Sequence, residues 1–559
     1  HQHERIEPDI VTLAKGLGGG LPIGACVAFG EAAVLLGPGS HGTTFGGGPF
    51  VAHVANHVFD RISDPALLAH VREMEALMCE LLAGVQRRSP KVRAVRGRGL
   101  MWGVDVTDPA TGDVIASVAS GSAEDAQRAV DAAARASDAW AATAPRQRAE
   151  ILRKAFEIMV DHRDEIADLI VLESGKSRGD ALGEVTYAAE FFRWFAEEAV
   201  RAVGHVQTAP NGDKRILTVY QPIGVSVLIT PWNFPAAMAT RKMGPALAAG
   251  CPVVLKPASD TPLTALALAI VMERAGVPAG VVNVLPSRRS GAVAEAMLDD
   301  PRTRKLSFTG STEVGRTLLE LAARNVVSCS MELGGNAPFV VFADADLEAA
   351  VDGAMVAKMR NGGESCIAAN RFIVEAPVAD EFSRRLAAAM GNLRVGPGQD
   401  PSTDVGPMIN ERAAEDIAAM VASSVAAGAE VLVGGTRPEG PGAFYPPTVL
   451  TGLSADDPIL DIEIFGPVAP VVAFSTEDEG VALANATPFG LAAYVYTSDL
   501  ARALRVSERI DAGMVGVNRG FISDPAAPFG GVKQSGLGRE GGHEGLLEFL
   551  EAKYIAVDW

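Results

Sequence analysis

Cysteine is scarce in this sequence. Its 559 residues include five cysteines, and no two of them have CxxC spacing or lie beside a histidine-rich segment. They are Cys26, Cys79, Cys251, Cys329 and Cys366. Thiols so few and so scattered argue against a zinc site and against a disulfide framework, and they favour a reducing compartment. We therefore expect no bound metal.

Excess positive charge and long apolar runs are missing as well. The formal net charge is -19 at pH 7, which disfavours nucleic acid and anionic membranes as partners. No segment approaches the roughly 20 apolar residues that a membrane-spanning helix needs. The opening residues HQHERIEPDI lack the basic start and apolar centre of a signal peptide. We expect a cytoplasmic globular protein without nucleic-acid or membrane partners.

Two stretches of different composition make up the chain. Residues 1–106 contain the glycine-rich stretches GLGGGLPIGA and HGTTFGGG, followed by a helical pattern from about Pro65 to Gln86. Beyond them, residues 122–141 and 145–201 are rich in Ala, Arg and Glu, with apolar residues at helical spacing. The change indicates a boundary close to residue 106.

From Gly224 onward, strand-like and helix-like segments alternate. GVSVLIT, PVVLK, VVNVLP and KLSFT have the composition of strands, and apolar helical patterns separate them. Such alternation predicts a parallel sheet built of βαβ units. A second α/β region is predicted from Gly334 to about Phe529, and the C-terminal tail should end in a strand.

Two segments of the predicted sheet could bind phosphate or ribose. Gly310, Ser311 and Gly315 lie where a strand turns into a helix, and Lys256 and Ser259 follow another strand. Helix N-termini at the carboxyl ends of strands attract phosphate. The spacing is not GxGxxG, however. Taken one at a time, these residues are explained at least as well by an ordinary capped helix and a solvated lysine as by a phosphate or ribose site.

Three side chains could support nucleophilic catalysis. Cys366 in NGGESCIAANR has little bulk around it, although an inert buried thiol is the commoner fate of a lone cysteine. Glu332 in MELGGNAP supplies a carboxylate at a strand end, and Asn233 in ITPWNFP supplies an amide donor. A nucleophile, a base and an oxyanion donor are thus present, but spacing alone does not bring them together.

Residues 107–559 resemble the aldehyde dehydrogenase superfamily along essentially their whole length. The motifs ITPWNFP, LKPAS, FTGSTEVG, MELGGNAPF, GGESC, EIFGPV and PFGGVKQSGLGRE occur in family order. Within the superfamily, ITPWNFPAAMATRKMGPALAAG and GLGREGGHEGLLEFLEAKY are most similar to succinate-semialdehyde dehydrogenases. The resemblance implies an NAD(P)-dependent oxidation of a small aldehyde, assembly as a homodimer or homotetramer, and no further partner.

The resemblance implies roles for the catalytic residues. Cys366 matches the nucleophile that attacks the aldehyde, and Asn233 matches the side chain that holds the oxyanion. Glu332 matches the base that activates water to hydrolyse the thioester. Many relatives have a second cysteine two residues after the nucleophile, where this chain has Ala368, so a redox switch there is not expected.

The nucleotide site is implied in the same way. Matching positions are Trp232, Lys256, Ser259, Gly310, Ser311, Gly315, Leu333, Glu463 and Phe465. Glu463 would hold the nicotinamide ribose. Relatives that prefer NAD usually carry Glu at position 259, which would repel a 2′-phosphate. Since this chain has Ser259, we expect NADP first, with NAD also possible.

A carboxylated substrate needs a cationic clamp. In the resembling enzymes two arginines and a serine form it, and they correspond to Arg241, Arg360 and Ser523. Taken alone, Arg241 would be a helix-surface cation and Arg360 a structural ion pair, but both matching together favours the clamp. Asp524, beside Ser523, would weaken it unless its side chain points away.

Residues 6–106 resemble class III pyridoxal-phosphate-dependent aminotransferases of the acetylornithine type. EPDIVTLAKGLGGGLPIGA and HGTTFGG carry this resemblance. Lys15 matches the Schiff-base lysine and Thr44 a phosphate contact. The segment lacks the Asp that pairs with the pyridine nitrogen and the phosphate-binding Gly/Ser turn. We therefore expect no functional pyridoxal phosphate site.

The predicted fold is α/β: a Rossmann-like nucleotide-binding domain, an α/β catalytic domain and a small β oligomerisation element, preceded by a partial aminotransferase large domain. The predicted boundaries are 1–106 for the fragment, 107–201 and 223–333 for the NAD(P)-binding domain, 334–529 for the catalytic domain, and 202–222 and 530–559 for the oligomerisation strands. Two alternatives stay open. One is a bifunctional aminotransferase–dehydrogenase, and the other is a nucleotide-binding protein without turnover.

Overall fold

The computed structural model describes residues 10–13, 25–29, 49–66, 69, 95–98 and 101–558. Two compact units make up the chain, His1–Gly103 and Val104–Trp559. In the first, strands Ile10–Leu13 and Ala25–Ala28 pair antiparallel, and helix Pro49–Ile62 and strand Val95–Arg98 follow. Lys15, Thr44 and most of the predicted helix from Pro65 to Gln86 lie outside the described residues.

The helical patterns after residue 107 are confirmed. Strands Met101–Thr107 and Val114–Ala119 are followed by helices Ala123–Ala141, Pro145–Asp161, Arg163–Ser174 and Arg178–Glu198. Ser122 and Asp125 form a reciprocal capping box at the first of these helices, which satisfies two backbone donors that would otherwise lack partners. The predicted region 145–201 is therefore three helices.

The alternating segments form a sheet of six strands, which we call the nucleotide sheet after the domain predicted from the sequence. In spatial order its strands are Val282–Val284, Val253–Lys256, Val225–Ile229, Thr303–Thr309, Ser328–Glu332 and Gly536–Leu537. The first five are parallel and the last is antiparallel. Helices Pro235–Ala249, Pro262–Ala275, Ser290–Leu298 and Thr312–Ala323 connect them. The predicted βαβ arrangement is confirmed.

A second sheet, which we call the catalytic sheet after the domain predicted from the sequence, has seven strands. In spatial order they are Glu430–Val433, Thr448–Thr451, Val468–Phe474, Ala369–Glu375, Ala337–Val341, Ala492–Tyr496 and Met514–Val517. Only the first pair among these seven is antiparallel. Its helices are Leu347–Met359, Ala376–Gly391, Glu411–Ala426, Glu477–Asn485 and Leu500–Arg509. Short 3-10 turns occur at Arg360–Gly363, Pro458–Asp461 and Lys533–Ser535.

A separate three-stranded antiparallel sheet joins two distant parts of the chain. Arg215–Pro222 pairs with His205–Thr208 on one side and with Leu550–Val557 on the other, after the short helix Glu544–Leu547. Parts of the segments 202–222 and 530–559 thus pair with each other in this sheet. The second segment is nevertheless divided, because Gly536–Leu537 pairs with the nucleotide sheet.

All of the residues of helix Pro235–Ala249 are buried. It packs against helix Arg178–Glu198, where Gly244 has no room for a side chain because a Cβ there would lie 2.9 Å from the Phe195 ring. Close backbone approach between two helices requires such a small residue. As a result, the two charged residues of the helix, Arg241 and Lys242, lie in the interior.

Candidate active site

A turn with left-handed backbone conformation lies just before Cys366 in the chain. The turn Arg360–Gly363 has three successive residues in the left-handed region, Asn361 at φ 57°, Gly362 at φ 62° and Gly363 at φ 82°. A Cβ at Gly363 would collide with the Gly466 carbonyl, so this position requires glycine. The turn ends helix Leu347–Met359 sharply and leads into Cys366, which is half-buried.

The amide of Asn233 lies beside this turn. Its Nδ2 donates to the Glu364 carbonyl at 3.0 Å, two residues before the cysteine. Asn361 Nδ2 donates to the Glu364 carbonyl at 2.9 Å and to the Asn233 carbonyl at 3.1 Å. An amide nitrogen has two hydrogens, so Asn233 keeps one for another acceptor.

A buried ion pair fixes Asn233 from the other side. Lys176 Nζ donates to the Asn233 carbonyl and to Glu184 Oε2, both at 2.6 Å. Glu184 in turn accepts from the backbone of Ala236 and Ala237, at the start of helix Pro235–Ala249. Lys176, Glu184 and Asn361 were missed in the sequence. Glu184 could have been found, since a carboxylate amid the apolar residues of GEVTYAAEFF needs a buried partner.

Glu332 ends a strand of the nucleotide sheet and is 2% exposed. Neither of its carboxylate oxygens has a hydrogen-bond partner among the described residues. Burial raises its pKa well above 4.5, and the nearby charge of Glu540 adds to the shift. Lys242, fully buried, donates to both Glu540 and Ser307. A carboxylate in this setting can accept a proton readily.

Several charged side chains of the site influence the pKa of the Cys366 thiol. Burial raises the pKa of Cys366 to about 12, while Arg241 acts to lower it; Glu463, Glu332 and Arg360 also act on the thiol. Gly335, just beyond Glu332, packs so closely on the Cys366 carbonyl that a side chain there would collide with it. The fold therefore brings together the cysteine, the carboxylate and the amide that the sequence leaves far apart.

The two arginines of the expected clamp lie around one tyrosine. Arg241, 2% exposed, donates from Nη2 to the Tyr187 hydroxyl at 2.8 Å. Its guanidinium lies 4.1 Å from the centroid of the Phe529 ring. Arg360 lies 5.8 Å from the Tyr187 ring and 4.8 Å from the Phe521 ring. Rings in this position attract cations.

Ser523, the serine of the expected clamp, also contacts Tyr187. Ser523 is buried, and its hydroxyl is hydrogen-bonded to the Tyr187 hydroxyl. Nε and Nη1 of Arg241 have no hydrogen-bond partner in the described part of the chain, although Nη1 is 3.6 Å from Glu540. Arg241, Arg360 and Ser523 thus converge, and the arginine keeps unused donors for an anion.

Asp524 does not oppose the clamp, because its side chain is exposed and accepts from the Ala526 backbone at 2.9 Å. Tyr187 was missed in the sequence. A signal was present: Glu184, Tyr187 and Phe191 are three and four residues apart, and so they share one helix face. The rings of Tyr187 and Phe191 lie 4.9 Å apart, edge to face.

The expected nucleotide contacts follow the carboxyl ends of the nucleotide sheet. Lys256 ends one strand and is buried, which lowers its pKa to about 8. Ser311 caps helix Thr312–Ala323, a setting that suits phosphate. Glu463 accepts from the Gly335 backbone at 2.9 Å, and Trp232 lies edge-on to Phe465 at 5.4 Å. These donors, the carboxylate and the aromatic walls fit a nicotinamide dinucleotide.

Two glycines in this group have a packing role. A side chain on Gly310 would collide with the Phe308 ring, and one on Gly315 would collide with Leu333. Gly315 therefore lets the helix approach the end of the Glu332 strand. Its function here is close approach, the use that glycine serves at many strand-to-helix turns.

Within the described ranges, no group of three or more His, Cys, Asp or Glu residues could hold a metal ion. No helix in those ranges is both long and apolar enough to cross a membrane.

Comparison with known proteins agrees with this geometry. The model of the aldehyde dehydrogenase family matches residues 100–555. The succinate-semialdehyde dehydrogenase of Paenarthrobacter nicotinovorans is 56% identical over 79% of this chain and 99% of its own length. Succinate-semialdehyde dehydrogenase (NADP(+)) GabD of Escherichia coli is 49% identical over 81% of this chain and 94% of its own.

Solved structures agree as well. A crystal structure described as an E. coli NADP-dependent enzyme superposes with a TM-score of 0.81, at 49% identity, over 82% of this chain and 95% of that one. The class III aminotransferase model also matches residues 1–133, so the two matches overlap over 100–133. The match to residues 100–555 and these identities leave one conclusion: this chain belongs to the aldehyde dehydrogenase family.

Proposed function

We propose that this enzyme oxidises succinate semialdehyde, or a similar short carboxylated aldehyde, to the acid with NAD(P)+. The observation that carries the proposal is the pair Arg241 and Arg360 around Tyr187, with Ser523 on the same hydroxyl. Both arginine charges act on the Cys366 thiol, so an anion held between them would present its aldehyde to the nucleophile. The relatives' printed names support this substrate class.

Cys366 makes the first bond. Its sulfur attacks the aldehyde carbon as the thiolate, after the thiol proton has passed to solvent water. The developing oxyanion accepts from the second hydrogen of Asn233 Nδ2 and from the Cys366 backbone. One such donor is typically worth about 3 kcal/mol in the transition state.

A bound NAD(P)+ would supply the hydride acceptor that converts this adduct into a thioester on Cys366. Trp232 and Phe465, whose rings lie edge to face, would line the nicotinamide position. Glu463, which accepts from the Gly335 backbone, would hold the ribose. Glu332 then deprotonates a water molecule that attacks the thioester carbon. Cys366 leaves as the thiolate and takes up the proton that Glu332 removed from the water, which restores the resting enzyme.

Arg241, Arg360 and Ser523 hold the distal carboxylate during these steps. The free donors of Arg241 supply hydrogen bonds to an anion, each worth about 1.5–3 kcal/mol because one partner is charged. The surrounding rings exclude water and so strengthen the attraction. An uncharged aldehyde gains none of this, and the site therefore discriminates by charge.

NADP is the expected nucleotide, because Ser259 and Lys256 offer donors and no carboxylate to a 2′-phosphate; NAD is the alternative.

The four cysteines that the structure describes are free thiols, which suits the cytoplasm. Strand His205–Thr208 is exposed along its length. An exposed strand is open to pairing with a second copy, and this supports the expected homodimer or homotetramer.

The domain assignment stays a proposal. The nucleotide sheet would be the NAD(P)-binding domain, the catalytic sheet would carry Cys366, and residues 1–106 would be an inert fragment. The class III aminotransferase match over residues 1–133 favours a second candidate, a bifunctional enzyme. The cluster of Cys366, Glu332 and Asn233 argues against a protein that binds nucleotide without turnover.

The test is a comparison of substrates. We expect the purified protein to reduce NADP+ with succinate semialdehyde at a kcat/KM at least about tenfold above that with butanal, because one charged hydrogen bond supplies this factor. Equal values for the two aldehydes would refute the proposed substrate class. A parallel series with NAD+ ranks the two nucleotides.

A further inference from the structure

The ion pair of Lys176 and Glu184 lies behind the amide of Asn233. Lys176 precedes helix Arg178–Glu198, which contains Glu184. Lys176 Nζ donates to Glu184 Oε2 at 2.6 Å, and both side chains are buried. Taking two charges out of water costs free energy that their attraction often does no more than offset, so a buried ion pair is weak evidence for stability. This pair is better explained by what it positions.

The ammonium of Lys176 contacts the residue that carries the oxyanion donor. Nζ donates to the Asn233 carbonyl at 2.6 Å and lies 4.5 Å from the centroid of the Phe234 ring. The Asn233 carbonyl accepts a second hydrogen bond, from Asn361 Nδ2 at 3.1 Å. A carbonyl oxygen has two lone pairs, and both are occupied here. The peptide that joins Asn233 to Phe234 is therefore fixed in place.

The carboxylate of the same pair holds the chain just after Asn233. Glu184 Oε1 accepts from the backbone of Ala236 at 2.8 Å and from that of Ala237 at 3.3 Å. Both donors belong to the first turn of helix Pro235–Ala249, where backbone N–H groups have no acceptor within the helix. The ammonium thus holds the backbone at Asn233, and the carboxylate holds it at the beginning of the helix.

The side-chain amide of Asn233 has few other restraints. Nδ2 donates one hydrogen to the Glu364 carbonyl at 3.0 Å, and Oδ1 is buried without a hydrogen-bond partner in the part of the chain that the structure describes. The direction of the second Nδ2 hydrogen therefore depends on the position of the Asn233 backbone. An oxyanion donor is effective only where it points at the developing charge, and a shift of about 1 Å can cost about 10²-fold in rate.

We propose that Lys176 is a positioning residue for the oxyanion site: its ammonium holds the Asn233 backbone so that the free amide hydrogen points at the aldehyde oxygen. The inference rests on the oxyanion role proposed above for Asn233. Among the described residues, the ammonium donates to Glu184 and Asn233, so it acts through Asn233 and not on the substrate. Loss of Lys176 should slow the first chemical step and leave the binding of aldehyde and nucleotide intact.

A second buried lysine provides a matched control. Lys305 Nζ donates to Glu548 Oε2 at 2.8 Å and lies 5.8 Å from the centroid of the Phe549 ring. The side chains of Lys305 and Lys176 are 0% and 5% exposed. Lys176→Met and Lys305→Met therefore each break a buried ion pair beside a phenylalanine, and only the first removes a donor to Asn233.

The experiment measures, by stopped flow, the rate constant for the first NADPH formed at saturating NADP+ and butanal, an aldehyde without a carboxylate. We expect Lys176→Met to lower this rate constant about tenfold or more, and to change the KM of butanal and the Kd of NADP+ less than threefold. Lys305→Met should change the rate constant less than threefold.

A double-mutant cycle tests whether Lys176 acts through Asn233. Asn233→Ala alone should lower the rate constant about 10²- to 10³-fold, as is usual when an oxyanion donor is removed. In that background Lys176→Met should lower it less than threefold further, because the amide that the lysine positions is gone.

A second variant guards against unfolding, since Lys176→Met leaves the Glu184 carboxylate buried without its partner. Lys176→Met/Glu184→Gln removes both charges, and the new amide oxygen can still accept from the Ala236 backbone. We expect the same loss of about tenfold or more in this variant, with folding verified by circular dichroism.

Three results would overturn the inference: a loss below tenfold in both Lys176 variants, an equal loss in Lys305→Met, or a further loss of tenfold or more in the Asn233→Ala background. None of them depends on the proposed substrate class, because butanal carries no anion. A slow Asn233→Ala beside a normal Lys176→Met would refute the inference alone, whereas a normal Asn233→Ala would refute the proposed oxyanion role.

Discussion

At the reacting end of the site, Glu332 is buried without a hydrogen bond to either oxygen among the residues described. At the carboxylate end, Arg241 is equally buried but is surrounded by Tyr187 and Phe529. Burial raises the pKa of Glu332, so its charge can change within the reaction. An arginine keeps its charge throughout. One end is built to move protons and the other to hold a fixed charge.

Because of this difference, substitutions at the two ends should have different effects on activity. Changes at the reacting end should affect every aldehyde, since each aldehyde passes through the same bonds to Cys366. Changes at the carboxylate end should affect only substrates that carry an anion. Substitutions at each end of the site test this distinction.

The largest effect is expected for Cys366→Ala. Without the thiol no covalent adduct forms, and kcat should fall by about 10⁴-fold or more for succinate semialdehyde and butanal alike. Stopped-flow measurement of NADPH formation checks this. Near-normal turnover in the variant would show that another group is the nucleophile.

A smaller effect, confined to hydrolysis of the thioester, is expected for Glu332→Gln. The steady-state rate should fall by about 10²- to 10⁴-fold, as is usual when a general base is removed. A burst of NADPH should remain, because hydrolysis of the thioester becomes the slow step. A variant without a burst would show that Glu332 acts before the hydride is transferred.

The pH profile tests the same residue. Only the ionised carboxylate can act as a base, and burial raises its pKa. Steady-state activity of the wild type should therefore fall as the pH is lowered through that raised pKa, well above the usual range for Glu. The residual rate of Glu332→Gln should lack this inflection.

At the nucleotide, Ser259→Glu should shift the preference from NADP toward NAD. A carboxylate beside the 2′-phosphate should change the ratio of the two kcat/KM values by at least about tenfold, because opposing like charges cost on the order of 1 kcal/mol or more. The ratio is measured at saturating aldehyde. An unchanged ratio would place the 2′-phosphate away from position 259.

The smallest effect is expected for Lys15→Ala, which should leave dehydrogenase activity unchanged. Added pyridoxal phosphate should give no Schiff-base absorbance, and 4-aminobutyrate and acetylornithine should not be transaminated. A stoichiometric adduct at Lys15, mapped by borohydride reduction and mass spectrometry, would support the bifunctional enzyme instead.

The sequence predicted the nucleotide sheet well, because each strand and helix there carries its own local pattern. Helix Pro262–Ala275, for example, begins at Pro262 and ends before Gly276, as such residues indicate. The division of segment 530–559 between two sheets was not foreseen. Pairing of Gly536–Leu537 with Ser328–Glu332 depends on contacts far apart in the chain.

The site was predicted through motifs, and the residues that support it were not. Tyr187 and Ser523 are 336 positions apart, and Lys176 and Asn233 are 57 apart. No local pattern relates such pairs. Burial of Arg241 in a fully buried helix likewise depends on Gly244 and the neighbouring helix. Local sequence alone, which would place this arginine on a helix surface, does not indicate that burial.

The central claim is that a fixed cationic clamp selects carboxylated aldehydes. Its most direct test is the ratio of kcat/KM for succinate semialdehyde to that for butanal in Arg241→Ala, with the exposed Arg412→Ala as control. We predict a ratio about 10- to 150-fold lower in Arg241→Ala, which corresponds to the 1.5–3 kcal/mol of a charged hydrogen bond, and no change in the control. Equal losses on both aldehydes would contradict the account and give Arg241 a purely structural role.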